Sequence, residues 1–441
     1  MTARRRRLRF LKYPLIIALM VLAVFQTGRL WLINIANRNF FNVFSQTPPA
    51  AAETLENFIR PYRVVSGSGD GFFNIQYSGL TNAESWQYGQ SALSAVLTNG
   101  EFAGAVTVDY EKLLASQVYL YDYNFQLPSE TLARALNSQR AATLTSRGVA
   151  SFDRVAVQPP ASENESLQVY FIRDGDAFAF RLPETGAQTR FIRTIEPARS
   201  SGRLAYVPAG SEVIAQAAPG QFIATWEEGF PYPPVVITNP YTNDYGEKLI
   251  SFIQTRAEPL FDNPAAINAE VGADGVYTFS TQNTVVRFTE EDILEYNSYR
   301  AVDSAGTVNV VRDYSAAAAF IAADNHIVNE TYLAGYEEQE GRHVFRFDYV
   351  INDLPLLLQS GHPIEVTVDR GMVTRYRKLA YNFHTDSSES FTGSIKFDEW
   401  IDPKTRADKV RLGYRIDNQP VLILYWFVEN AGNVLLQPIG S

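Results

Sequence analysis

The sequence contains no cysteine, four histidines and three methionines. Without cysteine there is no disulfide, no thiol nucleophile, no iron–sulfur cluster and no Cys-type zinc site. His326, His343, His362 and His384 show neither His-x-x-x-His nor His-Glu-x-x-His spacing, which points to structural or surface roles. Gly67-Ser68-Gly69-Asp70-Gly71 lacks the Gly-Lys-Ser/Thr ending of a phosphate loop and reads as a hairpin turn. Asp174-Gly175-Asp176 lacks the remaining ligands of a calcium loop and reads as a tight turn between strands. There is no Gly-x-Ser-x-Gly elbow, and no lysine has a serine three residues before it. No cofactor is expected.

Acidic residues are missing from one end. Residues 1–39 hold eight of the 38 bases and no acid, the first carboxylate being Glu53. The remaining 30 bases face 48 acids, so the net charge of −10 divides into +8 and −18. An acidic body of that size repels phosphate backbones, which argues against nucleic-acid binding. A hydrophobic share of 46% with 20% charged is ordinary globular composition. The length of 441 residues suggests about three domains.

Arg4 to Arg7 precede an apolar run from Leu15 to Phe25, followed by Gln26, Thr27, Gly28 and Arg29 and a second run to Ala36. A cleaved signal peptide would continue into small residues, but Leu30, Trp31, Leu32 and Ile33 are bulky. Tyr13 to Ala36 is 24 residues, long enough to span a bilayer. The expectation is a single-pass signal anchor in the cell membrane. The preceding bases keep the amino terminus cytoplasmic and leave the bulk of the chain extracytoplasmic. Arg29 either snorkels to the outer interface beside Trp31 or, with Gln26 and Thr27, faces a partner's transmembrane helix.

Beyond the anchor, Glu53–Ile59 reads as a short helix. The pattern then predicts helices over Ala83–Leu97, Pro128–Leu136, Tyr245–Glu258 and Asp313–Ala323. Strands are expected at Ala105–Val108, Val118–Phe125, Asp153–Val157, Gln168–Ile172, Ala177–Leu182 and Thr189–Ile195. Further strands are expected between Gly275 and Tyr299, between Tyr332 and Phe383, and at Lys409–Ile416 and Val421–Val428. A helix followed by antiparallel strands occurs twice, over about 244–299 and 313–383. The fold class is therefore α+β: a transmembrane helix, then a multi-domain body of antiparallel sheets each covered by a helix. The expected divisions are 1–39 for the basic tail and anchor, then 40–215, 216–310 and 311–441.

Two stretches carry a family resemblance. One is Arg60-Pro61-Tyr62-Arg63-Val64-Val65. The other is the strand text from His343 to Pro355 and from Pro363 to Arg377, extending to about residue 383. With the single anchor, the length and the missing cysteines, the chain resembles the YycH/YycI group. That group comprises membrane-anchored accessory proteins of the WalK sensor histidine kinase in Gram-positive bacteria. The resemblance implies a non-enzymatic regulator whose partners are a sensor kinase and a sister accessory protein. The polar stretch Gln26 to Arg29 departs from a plain apolar anchor.

Two alternatives come from the residues themselves. Trp226, Phe230, Tyr232 and Tyr241 lie among prolines and could form a stacking surface for a wall glycan or small ligand. Packed strand faces use aromatics as well. The acid pairs Glu227-Glu228, Glu290-Glu291 and Glu337-Glu338 could in principle serve an envelope hydrolase, but with 48 acids adjacent pairs are expected by chance and solvated surface is the default account of them.

Overall fold

A computed structural model describes residues 60–438. It leaves out 78, 81–82, 108, 137–140, 184–187, 201–203, 210–219, 226–229, 233–234, 243–246, 303–306, 325–329, 359–360, 386–390, 394–406, 417–420 and 431–432. The expected anchor, with Gln26, Thr27, Arg29 and Trp31, and the helix over Glu53–Ile59 lie outside the described residues. Among the described residues, no helix is long and apolar enough to cross a membrane. These residues belong to one compact unit, Thr54–Ser441.

The first sheet contains β1 (Arg63–Gly67), β2 (Phe73–Gln76), β3 (Glu101–Thr107), β4 (Val118–Pro128) and β5 (Ser151–Gln158). It is completed by β6 (Gln168–Arg173), β7 (Asp176–Arg181), β8 (Ala205–Pro208) and β9 (Phe222–Thr225). Their order is β3-β7-β6-β5-β4-β1-β2-β8-β9, and every pairing is antiparallel. The loop Gly67–Gly71 does join a hairpin, β1 to β2. The tight turn at Asp174-Gly175 also forms, both residues taking the positive φ that a two-residue hairpin loop requires. Of the expected strands, Thr189–Ile195 is not one; a 3-10 turn at Gln188–Phe191 takes its place. Phe191 there turns inward against Tyr88, which hydrogen-bonds its carbonyl at 2.7 Å.

Helix α1 (Glu84–Asn99) covers one face of this sheet. Trp86 packs on Tyr121 at 5.6 Å and Tyr88 on Tyr119 at 5.2 Å between ring centroids. Gly89 sits directly over the Tyr121 ring, where any Cβ would collide with it. Both faces of β4 are buried from Val118 through Tyr123, so the alternating tyrosines mark one covered face rather than a boundary with solvent.

Short helices α2 (Tyr110–Leu114), α3 (Ser129–Ala135) and α4 (Ala141–Thr145) follow, and α5 (Ile250–Ala257) opens the second half. Between them, β10 (Phe230–Tyr232) and β11 (Val235–Thr238) join the carboxy-terminal strands. The second sheet begins with β12 (Asn268–Val271), β13 (Tyr277–Ser280), β14 (Thr284–Phe288) and β15 (Ile293–Ser298). After α6 (Val310–Ala323) it continues with β16 (Glu330–Gln339), β17 (Arg342–Ile351), β18 (Leu354–Pro355), β19 (Ile364–Asp369) and β20 (Met372–Leu379).

The two helix-then-strand units were expected as separate sheets. They are instead one sheet, ordered β12-β13-β14-β15-β20-β19-β17-β16, because β15 pairs with β20 from Ile293↔Leu379 to Asn297↔Arg375. Fusion removes two exposed strand edges, each a row of unpaired backbone groups. This sheet draws strands from both sides of residue 310, and the first sheet ends with β9, beyond residue 215. Helix α6 packs Phe320 on Tyr296 and Tyr376, and Tyr314 on Phe345 and Phe347. The opposite face has cross-strand neighbours of alternating charge, Glu295, Arg377, Glu365 and Arg346. Period-two alternation therefore separates a packed face from a wet one.

The chain closes with β21 (Asn382–Thr385), β22 (Phe391–Gly393), β23 (Lys409–Arg415), β24 (Val421–Asn430) and β25 (Asn433–Pro438). β10 pairs with β22, and the remaining strands form a sheet ordered β21-β11-β24-β23 with β25 on β24. The hairpin β23–β24 is tied to the second sheet by Leu357 N–H donating to the Tyr414 carbonyl at 2.9 Å.

Gly89→Val should collide with the immobile Tyr121 ring and destabilise the protein by about 1–3 kcal/mol, measured by urea unfolding. An unchanged unfolding midpoint would show that α1 does not seat as described.

Candidate functional site

The richest chemistry lies where the two large sheets and the β23–β24 hairpin meet. Strand β4 supplies it through a local defect. Asp122 pairs with Arg154 of β5 and Leu127 with Phe152, so four residues, 123–126, bulge opposite Asp153. Asn124 takes a positive φ of 57° inside the bulge. Its Nδ2 donates to the Ala334 carbonyl at 3.2 Å, and Phe125 packs edge-on against Tyr336 at 5.5 Å. Ala334 is itself the extra residue where β16 shifts register against β17. Two bulges from different sheets thus satisfy one another, the kind of irregularity that re-aims side chains.

Beneath the bulge lies a buried ion pair. Arg63 Nη2 and Nε donate to Asp122 Oδ2 at 2.8 and 3.0 Å, while the Asn124 N–H reaches Oδ1 at 3.1 Å. Arg63 and Asp122 are only 2% and 5% exposed, so both charges depend on these partners. Arg63 also donates to the Gly220 carbonyl at 3.3 Å. Gly220 has φ +77° and lies against the Arg154 guanidinium, leaving no room for a Cβ. Burial alone would raise the Asp122 carboxyl. Arg63, Arg154 and the Asn124 N–H outweigh it and hold the group below the usual carboxylate range.

The second sheet continues the network. Tyr62 packs on Tyr332 at 5.7 Å, and Arg60 Nη2 donates to the Thr331 carbonyl at 2.7 Å. The backbone N–H of Tyr77 reaches Asp353 at 2.8 Å. Tyr332 donates to Asp348, whose other oxygen meets His362 Nδ1 at 2.7 Å. The hairpin is held from the first sheet by Gln221, whose side-chain oxygen accepts the Val410 N–H at 3.2 Å.

These elements enclose a cavity of about 260 Å³ lined by Tyr62, the bulge residues Asn124, Phe125 and Gln126, the carboxylates Asp122 and Asp153, Gln221, and the cations Arg154, Lys409 and Arg411. Asp153 is raised by burial, with Arg154 opposing, and its Oδ1 is buried without a hydrogen-bond partner among the described residues. Asp122 and Asp153 are therefore two carboxyls pushed in opposite directions, the pattern an acid–base pair would need. Asp122 is nevertheless occupied on both oxygens, by Arg63 and by Asn124, and cannot turn toward a substrate. The pair reads as structural.

A wider groove of about 700 Å³ runs along α1 beside Gln87, Ser91, Ser94 and Thr98. Its lining is mainly amide and hydroxyl groups, and its Arg193 already pairs with Glu84 at 2.8 Å. The junction cavity is the stronger candidate because its charges are fixed by packing.

Trp226 lies outside the described residues, as do Glu227 and Glu228. Phe230 and Tyr232 pair through their backbones with Gly393 and Phe391. Tyr241, expected on a ligand surface, is instead wholly buried, its ring stacked on Phe288 at 4.8 Å with Lys378 Nζ 4.9 Å from its centroid. Lys378 is in turn buried against Asp324, which also accepts from Tyr376 at 3.1 Å. Glu337 is engaged by Arg346. Of the histidines, His326 lies outside the described residues, His343 bonds the buried Asp313 at 2.8 Å, His362 bonds Asp348, and His384 meets Thr238 at 3.0 Å.

Two helix-covered antiparallel sheets, bulged together and closed by a carboxy-terminal hairpin sheet, define an α+β body of a recognisable kind. It is a YycH-like fold. The crystal structure of YycH from Bacillus subtilis matches with a TM-score of 0.51 and 10% identity, over 88% of this chain and 97% of that chain. A second solved structure, an uncharacterized protein from Eubacterium rectale ATCC 33656, matches with a TM-score of 0.28 and 9% identity, over 49% of this chain and 86% of that one. No family model and no curated protein sequence matches.

Asp122→Asn strands the buried Arg63 charge and should cost about 3–5 kcal/mol. Because the folded-state carboxyl is depressed, the stability it contributes is complete above the ordinary carboxylate range and is lost as pH falls through the lowered value. The wild-type urea midpoint should therefore drop in acid below about pH 4, and the variant should lose that part of the slope. Identical pH profiles would refute the pairing.

Proposed function

We propose that the protein is a non-enzymatic, membrane-anchored regulator that sets the output of a cell-envelope sensor histidine kinase by direct contact. The observation that carries this reading is the YycH-like fold, which spans nearly the whole of the solved YycH chain. The two stretches that resemble the YycH/YycI group support it by their position. Arg60–Val65 enters β1 at the inter-sheet junction, and residues 343–383 run through β17, β19 and β20 in the second sheet and on into β21.

In this reading residues 13–36 anchor the chain, the amino terminus stays cytoplasmic, and the body lies outside the membrane. Gln26, Thr27 and Arg29 face the kinase's transmembrane helix, where polar groups gain from finding partners. A contact regulator acts by binding one of two kinase states better than the other. A body whose sheets are joined by buried bonds transmits such a preference without dissipating it in internal motion. A sister accessory protein is the second expected partner.

The test is co-purification of the full chain from membranes together with kinase output in a deletion strain. A sensor histidine kinase should be recovered, and its output should change several-fold on deletion. Recovery of no kinase with unaltered signalling would overturn the reading. Replacing residues 13–36 with an unrelated anchor should reduce the effect if those contacts carry it, and an unchanged output would assign the effect to the body.

A further inference from the structure

Each large sheet ends at the junction on one side only. There β16 is tied to the bulge of β4, and Gln221, immediately before β9, holds the carboxy-terminal hairpin. β3 and β12 end the two sheets on their other sides. A sheet edge offers unpaired backbone groups to any extended chain, and bulges, lysines or prolines guard against that. β3 is guarded: its register against β7 shifts between Phe102 and Gly104, and Gly104 has φ +134°. β12 is not. It pairs with β13 without a shift, from Asn268↔Ser280 to Val271↔Tyr277, and residues 267–271 include no lysine, arginine or proline.

All four residues of β12 are exposed, and among the described residues β13 is the only strand paired with it. Its side chains divide between the two faces of the sheet. Asn268 and Glu270 continue the wet face, Glu270 standing in line with Thr278, Arg287 and Glu295. Ala269 and Val271 continue the packed face, in line with Phe279 and Tyr277. Ile267, with an extended backbone, falls on that same face by period two. The packed face is left uncovered at this margin. Val271 is 50% exposed, and Leu249, next to the Lys248 carbonyl that accepts the Tyr277 hydroxyl, is 46% exposed.

We propose that β12 is the contact through which a second copy of this chain extends the sheet, antiparallel and centred on Ala269. Opposite residues of an antiparallel pair share a face, so the two-fold axis of such a contact passes through a residue and not between two. Centring on Ala269 sets that residue against itself, Asn268 against Glu270 of the second copy, and Ile267 against Val271. These are a methyl pair, an amide facing a carboxylate, and two apolar side chains, so the segment is complementary to itself. Centring on Glu270 would oppose two carboxylates, and centring on Asn268 would run β12 into the Pro264–Ala266 turn. In the favoured register Ile267 covers the exposed Val271, and both sheet faces continue without a break. Five residues a side bury less than the total of about 1,000 Å² that a stable interface needs, so the association is weak and concentration-dependent. The proposal rests on the geometry of the edge and does not depend on the kinase reading.

The chain has no cysteine of its own, so introduced cysteines report the register without interference. Directly opposite residues of an antiparallel pair lie about 4.5–5.5 Å apart at Cα, within disulfide reach. The experiment is oxidation of the full chain, purified in detergent, with a mild copper catalyst, the dimer being read on a non-reducing gel. Ala269→Cys should form dimer several-fold faster than Val106→Cys, which lies on the guarded β3 edge and is also exposed. Asn268→Cys and Glu270→Cys should each react slowly alone and quickly when mixed, because each stands opposite the other. Adding Ala269→Lys to both members of that mixture opposes two ammonium groups at the centre and should abolish the gain. All the substituted positions on β12 are exposed, so the variants should keep the wild-type unfolding midpoint. Three results would each overturn the proposal: Ala269→Cys reacting no faster than Val106→Cys, Asn268→Cys reacting alone as fast as in the mixture, or a gain that survives Ala269→Lys.

Discussion

Arg63 and Asp122 bring opposite charges together where both side chains are almost wholly buried, and much of the architecture serves that contact. Removing two ions from water costs several kcal/mol each, a cost met only when every remaining donor and acceptor finds a partner. Here Asn124 and Gly220 provide those partners. Asn124 can reach Asp122 only because β4 bulges, and the bulge in turn carries Asn124 Nδ2 and Phe125 across to β16. The ion pair, the bulge and the attachment of the second sheet are one structural decision.

That decision could not be read along the chain. Regular elements were legible because period is a local property: α1 and α6, the hairpins at Gly67–Gly71 and Asp174-Gly175, and the strands from β13 to β20 lie close to where the pattern places them. A bulge has no period, so residues 123–125 read as more strand. The partners of Arg63 lie 59 and 157 residues away, and nothing in the sequence links them. The pairing of β15 with β20 was hidden for the same reason, and it turned two apparent units into one sheet.

The candidate site shows the same limit in a sharper form. Aromatic residues among prolines suggested an exposed stacking surface, yet Tyr241 turns inward onto Phe288 and the Lys378 ammonium. Composition does not distinguish a tyrosine that faces solvent from one that covers a buried lysine. Conversely, Arg154, Lys409 and Arg411 attract no notice in sequence, being separate bases on separate strands, and acquire meaning only when folding gathers them around one cavity. The residues that did carry information were those of Arg60–Val65, which proved to be the strand entering the junction.

If the junction makes one cooperative body, the two large sheets must open together. Hydrogen exchange of native protein in low urea, read on peptides from β1 and β4 and from β16 and β17, tests this directly. The account predicts a shared opening free energy and a shared urea dependence for both sets. Opening of the β16–β17 peptides at markedly lower free energy than those of β1 and β4 would contradict it.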